Sequence, residues 1–160
     1  MKDVPIYLSA IQLIIVVIAT LYAVKQLKEY KRVRQVEVMD KIFEYVSAPD
    51  ARAARNMARN LRLPENFNDL NDNEKEAIEF TLIRWARVGV LLEQKVFSSK
   101  DEDALFRGYS LSIVNSWERL KTYVEFIRKQ SGMPDYYYHV ELLAHSAIEW
   151  RKKHNLPEWK

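Results

Sequence analysis

The chain has 160 residues, 25 Lys and Arg against 22 Asp and Glu, a formal net charge of +3, and no cysteine. Without thiols it has no disulfide, no thiolate metal ligand and no cysteine nucleophile. Seven basic and five acidic residues fall within the first 46, leaving 18 against 17 beyond; so near-neutral a remainder lacks the clustered positive charge of a broad nucleic-acid surface, and nucleic acid is not expected as a partner.

Residues 4–24 carry no charge, and as a helix rising about 1.5 Å per residue they reach roughly 31 Å, the hydrocarbon thickness of a bilayer. Twelve of those positions are Ile, Leu or Val, each favouring insertion by about 0.3–0.6 kcal/mol, which outweighs the cost of Pro5, Ser9, Gln12 and Thr20. A cleaved signal needs a basic leader, but Lys2 is followed by Asp3 and the basic residues come after the apolar run. A core helix keeps a polar face, and "LIIVVIA" at 13–19 has none. The segment therefore predicts a single transmembrane helix.

Lys25, Lys28, Lys31, Arg32 and Arg34 crowd the carboxyl side of this span with only Glu29 among them. By the positive-inside rule they place the amino terminus outside and the bulk of the chain in the cytoplasm, on the inner membrane of the cell. Tyr7 and Tyr22 fall near the two headgroup zones. The same five cations are candidate contacts to anionic lipid, worth about 1 kcal/mol each near the surface. The expected division is residues 1–34 as anchor and basic juxtamembrane segment, and 35–160 as a cytosolic helical domain.

Beyond the neck, Val36, Met39, Phe43 and Val46 keep helical spacing with no Gly or Pro among them, so the first helix is expected to run on to about 46. Ser47 and Asp50 have the spacing of a capping box around Pro49, opening a second helix over 48–62. Arg52, Arg55, Arg59 and Arg62 line one side of it, with Ala54, Met57, Ala58 and Leu61 roughly opposite. Two readings of this row compete. The guanidinium groups grip carboxylates or phosphates of a partner or of lipid, or they pair inside the fold with Glu65, Asp69, Asp72, Glu74, Glu76 and Glu79.

Asn71 with Glu74 announces a third helix bearing Ile78, Leu82, Trp85, Gly89, Leu92 and Val96. Gly89 is expected to permit close packing against Trp85 or Trp117. Ser99 with Glu102 opens a fourth, with Phe106, Tyr109, Ile113, Trp117, Leu120, Val124 and Ile127 as its core stripe and Gly108 as a point of division. Gly132 before Pro134 reads as a left-handed cap, and Asp135 as the cap of a last helix. That helix buries Val140, Leu143, Ala144, Ala147 and Ile148, and Arg151, Lys152 and Lys153 suit the dipole at its end. The fold class is all-α: one transmembrane helix continuing into a cytosolic antiparallel bundle of four to five helices.

"APDARAARNMAR", "WARVGVL", "SWERLKTYVEFIRKQSGMP" and "YYYHVELLAH", together with the anchor and its basic flank, resemble a prokaryotic family known as domain of unknown function 4760. The resemblance implies a single membrane anchor and a helical cytosolic domain, and it carries no catalytic residues.

The chemistry left to test is sparse. Glu141, His145 and Glu149 share one helical face, but neither Glu-x-x-His nor His-Glu-x-x-His occurs. There is no phosphate-cradling glycine loop and no Gly-x-Ser-x-Gly elbow. Of the rings at Tyr136, Tyr137 and Tyr138, one or two are expected in the core. No catalytic residue, metal or cofactor is expected. The sequence points to a membrane-anchored, non-catalytic interaction module, an accessory subunit or adaptor that docks on a membrane protein complex or self-associates. The alternative is a membrane-tethered effector of the defence type that binds nucleic acid or phosphate.

Overall fold

The computed structural model describes the backbone of residues 4–157 and the side chains of residues 12–157, in both cases apart from residue 65. The elements in chain order are α1 (Val4–Ser47), α2 (Pro49–Asn60), a single 3₁₀ turn (Phe67–Asp69), α3 (Asp72–Glu93), α4 (Ser99–Ser131) and α5 (Tyr138–Lys153). The protein is all-α, with no strand among the described residues. It divides into two compact units, residues 1–38 and 39–160.

In the first unit the described part of α1 is exposed on every side. Leu13, Ile14, Ile15, Val16, Val17, Ile18, Leu21, Tyr22 and Val24 are each between 46% and 67% accessible. Among the described residues no helix is long and apolar enough to cross a membrane. The span expected over 4–24 takes in residues 4–11, whose side chains, Tyr7 included, lie outside the described residues.

The second unit is a helical bundle. Met39, Ile42 and Val46 close the core from the last turns of α1. Ile42 was not on the expected stripe, and Val36, which was, is exposed. α3 contributes Ile78, Leu82, Trp85 and Val88; α4 contributes Phe106, Ile113, Trp117, Leu120 and Val124; α5 contributes Val140, Leu143, Ala144 and Ala147. α5 packs against both α3 and α4, while α2 lies mainly on α3. Each of these stripes keeps the three- and four-residue spacing that puts apolar side chains on one helical face.

Local chemistry sets the helix ends. Asn71 accepts from the Glu74 amide at 3.0 Å and Glu74 accepts from the Asn71 amide at 2.9 Å, a complete capping box. α4 opens one residue earlier than expected. Ser98, extended at φ −74° and ψ 163°, is the cap, paired with Asp101 instead of Ser99 with Glu102, because Ser99 already has helical geometry. Ser47 and Asp50 do not form a capping box. Ser47 belongs to α1, where its hydroxyl donates to the Phe43 carbonyl, and α2 starts on Ala48 and Pro49 without a side-chain cap.

Two glycines act differently from expectation and one as expected. Gly108 does not divide α4, which is continuous. Gly132 closes α4 in the left-handed conformation, φ 70°, its amide donating to the Arg128 carbonyl at 3.0 Å. A Cβ on Gly89 would stand 2.0 Å from the carbonyl oxygen of His139, so Gly89 fits α3 against the start of α5, and neither Trp85 nor Trp117 is the close neighbour. α5 is entered through Tyr137 at φ 58° without a side-chain cap; Asp135 contributes its carbonyl, which accepts from the Tyr138 amide at 2.9 Å.

Tyr123 shows how this core depends on pH. It is buried, stands edge-on to Phe67, and its hydroxyl donates to Glu79 at 3.2 Å. Burial first, and then the Glu79 carboxylate, push its pKa up to about 12 from an ordinary 10.0. Burial also raises the pKa of Tyr137, with Tyr136 next in effect. A raised pKa means that the native state holds the proton more tightly, so the stabilisation is complete below pH 10 and is lost as pH rises toward 12. Urea titrations across that window should show a falling midpoint in the native chain and a shallower fall in Tyr123→Phe.

Candidate anion-binding cleft

The arginines of α2 do not form one solvent-facing row. The buried positions of this helix are Ala51 and Ala58, with Arg55 between them on the same face, while Met57, expected on the apolar side, is exposed. Arg55 therefore turns into the body. It donates to the Val46 carbonyl at 2.6 Å and lies 5.6 Å from the Trp85 ring centroid. Burial lowers its pKa below the ordinary 12.5; Tyr109 opposes the shift, and Arg84 and Arg52 reinforce it. Arg52, Arg59 and Arg62 are exposed.

Pairing of this row with the acids that follow α2 is not what the structure shows. Among the described residues no ion pair joins Arg52, Arg55, Arg59 or Arg62 to Asp69, Asp72, Glu74, Glu76 or Glu79; Glu65 lies outside the described residues. Glu74 is engaged in the capping box and Glu79 accepts from Tyr123. The acid that does meet an arginine is Asp50, which takes Arg84 of α3 at 2.7 Å.

Arg119 of α4 joins the α2 cations. Its Nε donates to the Ala58 carbonyl at 3.1 Å and its Nη2 to the Leu61 carbonyl at 2.5 Å, closing the orphan carbonyl end of α2. Arg55, Arg59 and Arg119 then line a cleft of about 280 Å³ between α2 and α4, together with Ser112, Asn115 and Gly108. Half-buried Arg55 and exposed Arg119 give their bonds to neutral carbonyls, which occupy donors without cancelling charge. Glu118, at the edge beside Arg59 and Arg119, is held by Lys121 at 2.6 Å. In the wall of the cleft, Asn115 Oδ1 is shut off from water with no hydrogen-bond partner among the described residues.

Arg119 was not among the residues singled out from the sequence. Gly108, Ser112, Asn115 and Arg119 recur at four, three and four residues, a small and polar stripe beside the apolar one, and that spacing was the available signal.

The remaining candidates are dispersed. Lys25, Lys28, Lys31, Arg32 and Arg34 are all exposed on α1. Of the acidic and histidine strip on α5, Glu141 takes Arg128 at 2.8 Å, Glu149 takes Lys152 at 2.9 Å and His145 is exposed. His139 faces Glu93 at 3.1 Å. Among the described residues no three His, Asp or Glu side chains gather as metal ligands. Tyr136 and Tyr138 are exposed and Tyr137 is half-buried.

No curated protein and no solved structure matches the chain. Residues 10–150 match the family described as Domain of unknown function (DUF4760), and the chain belongs to that family.

Proposed function

We propose that the protein is a single-pass membrane protein whose helical body is a non-catalytic interaction module, an accessory subunit or adaptor that docks on a membrane protein complex or associates with its own copies. The observation that carries this reading is the accessibility of Leu13 to Val24 around the whole circumference of α1. A helix apolar on all sides with no protein neighbour is stable only where lipid or another chain covers it. The uncharged stretch 4–24 has the length of a span, and Lys25, Lys28, Lys31, Arg32 and Arg34 follow it in the pattern that holds a neck in the cytoplasm, with the amino terminus outside. Anionic lipid is a fitting partner for those five cations.

The tethered-effector alternative draws on the cluster of Arg55, Arg59 and Arg119, which suits a phosphate group. The near-neutral charge beyond residue 46 weighs against nucleic acid as its target. Extraction of the native chain in a mild detergent, followed by sizing and identification of whatever remains bound, tests the adaptor reading. Stoichiometric association with a membrane protein, or with further copies of the chain, is the expected result, and a lone monomer would count against it.

A further inference from the structure

We propose that the cleft between α2 and α4 is a binding site for a phosphate monoester on a small organic body. This inference stands apart from the adaptor reading, since the cleft is built wholly from residues of the 39–160 unit.

Charge selects the anion. Arg55, Arg59 and Arg119 face one space, and no carboxylate lines it. Three guanidinium groups lining one cleft favour an anion, and a dianionic monoester balances more of their charge than a single carboxylate does. Arg55 and Arg119 are fixed by their bonds to the carbonyls of Val46, Ala58 and Leu61, so their remaining donors are already oriented. Arg59 is exposed and has no such tie among the described residues, which lets it close over an anion.

Shape selects the body. A volume of about 280 Å³ sits at the lower end of small-molecule pockets and exceeds what a bare phosphate fills. Leu111, 46% accessible, gives the cleft an apolar lip. Gly108 gives it a bare floor: a Cβ there would meet nothing within 4 Å. Glycine in a helix interior costs about 1 kcal/mol relative to alanine, and no close packing inside the fold requires it here. The bare position is explained if a ligand lies against the backbone.

A phosphate monoester reaches such a site either as a soluble metabolite or as a lipid headgroup, and calorimetry on the full chain in nanodiscs separates the two. In neutral-lipid discs the probes are inorganic phosphate, glucose 6-phosphate and adenosine monophosphate; in a second arm the discs carry phosphatidic acid. Binding of an organic monoester in neutral discs, tighter than inorganic phosphate, is expected for a soluble ligand. Loss of that binding in discs containing phosphatidic acid, through competition, identifies the headgroup as the occupant.

Two variants test the location. Arg59→Glu reverses an exposed cation with no hydrogen bond or ion pair among the described residues, and Gly108→Leu fills the bare position while favouring the helix. Each is expected to weaken binding by about tenfold or more, the scale of one charge-assisted contact, with an unfolding midpoint unchanged or raised. No binding of any probe at millimolar concentration would overturn the proposal. Binding that both variants leave unchanged would overturn it too.

Discussion

Gly89→Ala is expected to lower stability by about 3 kcal/mol, although alanine is the better helix former by about 1 kcal/mol. The added methyl would lie 2.0 Å from the His139 carbonyl oxygen and 2.8 Å from its carbon, and both atoms are backbone at the start of α5. A flexible side chain could move aside; a helix terminus moves only with the helix. α5 packs on α3 and α4 together, so displacing it opens Val140, Leu143 and Ala144 at once. Thermal unfolding of the full chain in detergent should show a fall on the order of 10 °C for this loss. His139→Ala should not rescue the variant, since the obstructing atoms remain. An unchanged midpoint would mean that α3 and α5 are not in contact at Gly89.

Arg84→Met should cost about 2–4 kcal/mol, because it removes two hydrogen bonds from a buried guanidinium and leaves the Tyr45 carbonyl at the end of α1 unpaired. Arg84 is 9% accessible, lies 4.1 Å from the Tyr45 ring and 4.4 Å from the Phe80 ring, and donates to the Tyr45 carbonyl and to Asp50. With Arg55 on Val46, it satisfies the carbonyl end of α1 where the chain breaks into α2. Lysine at position 84 should recover less than half of the loss, since a single ammonium cannot reach carbonyl and carboxylate while stacking on two rings. Asp50→Asn should cost under about 1 kcal/mol, because the Asp50 side chain is 59% accessible. Equal losses at 84 and 50 in urea titration would contradict this division of labour.

These two residues mark where the sequence stops being informative. The apolar stripes of α3, α4 and α5 were readable because Ile78, Leu82 and Trp85, or Ile113, Trp117, Leu120 and Val124, repeat at helical spacing whatever they pack against. The Asn71 box and the Gly132 cap were readable because capping is local. Ser98 was displaced by one residue from the expected cap because two serines and three acids in a row offer several registers. The inward face of α2 was not readable: it has alanines on several sides, and which ones are buried depends on α3 and on the α1 carbonyls that draw Arg55 in. Arg119 was missed for the same reason, since its partners are the carbonyls of another helix 58 and 61 residues away. The partner of Gly89 lies at position 139, and no local pattern names it.

Whether the apolar start of α1 is seated in a bilayer is decided by washing membranes from cells expressing the full chain in alkaline carbonate. The chain is expected to stay with the membranes and to be released only by detergent, while deletion of residues 1–24 frees the remainder. Recovery of the intact chain in the carbonate supernatant would contradict that seating.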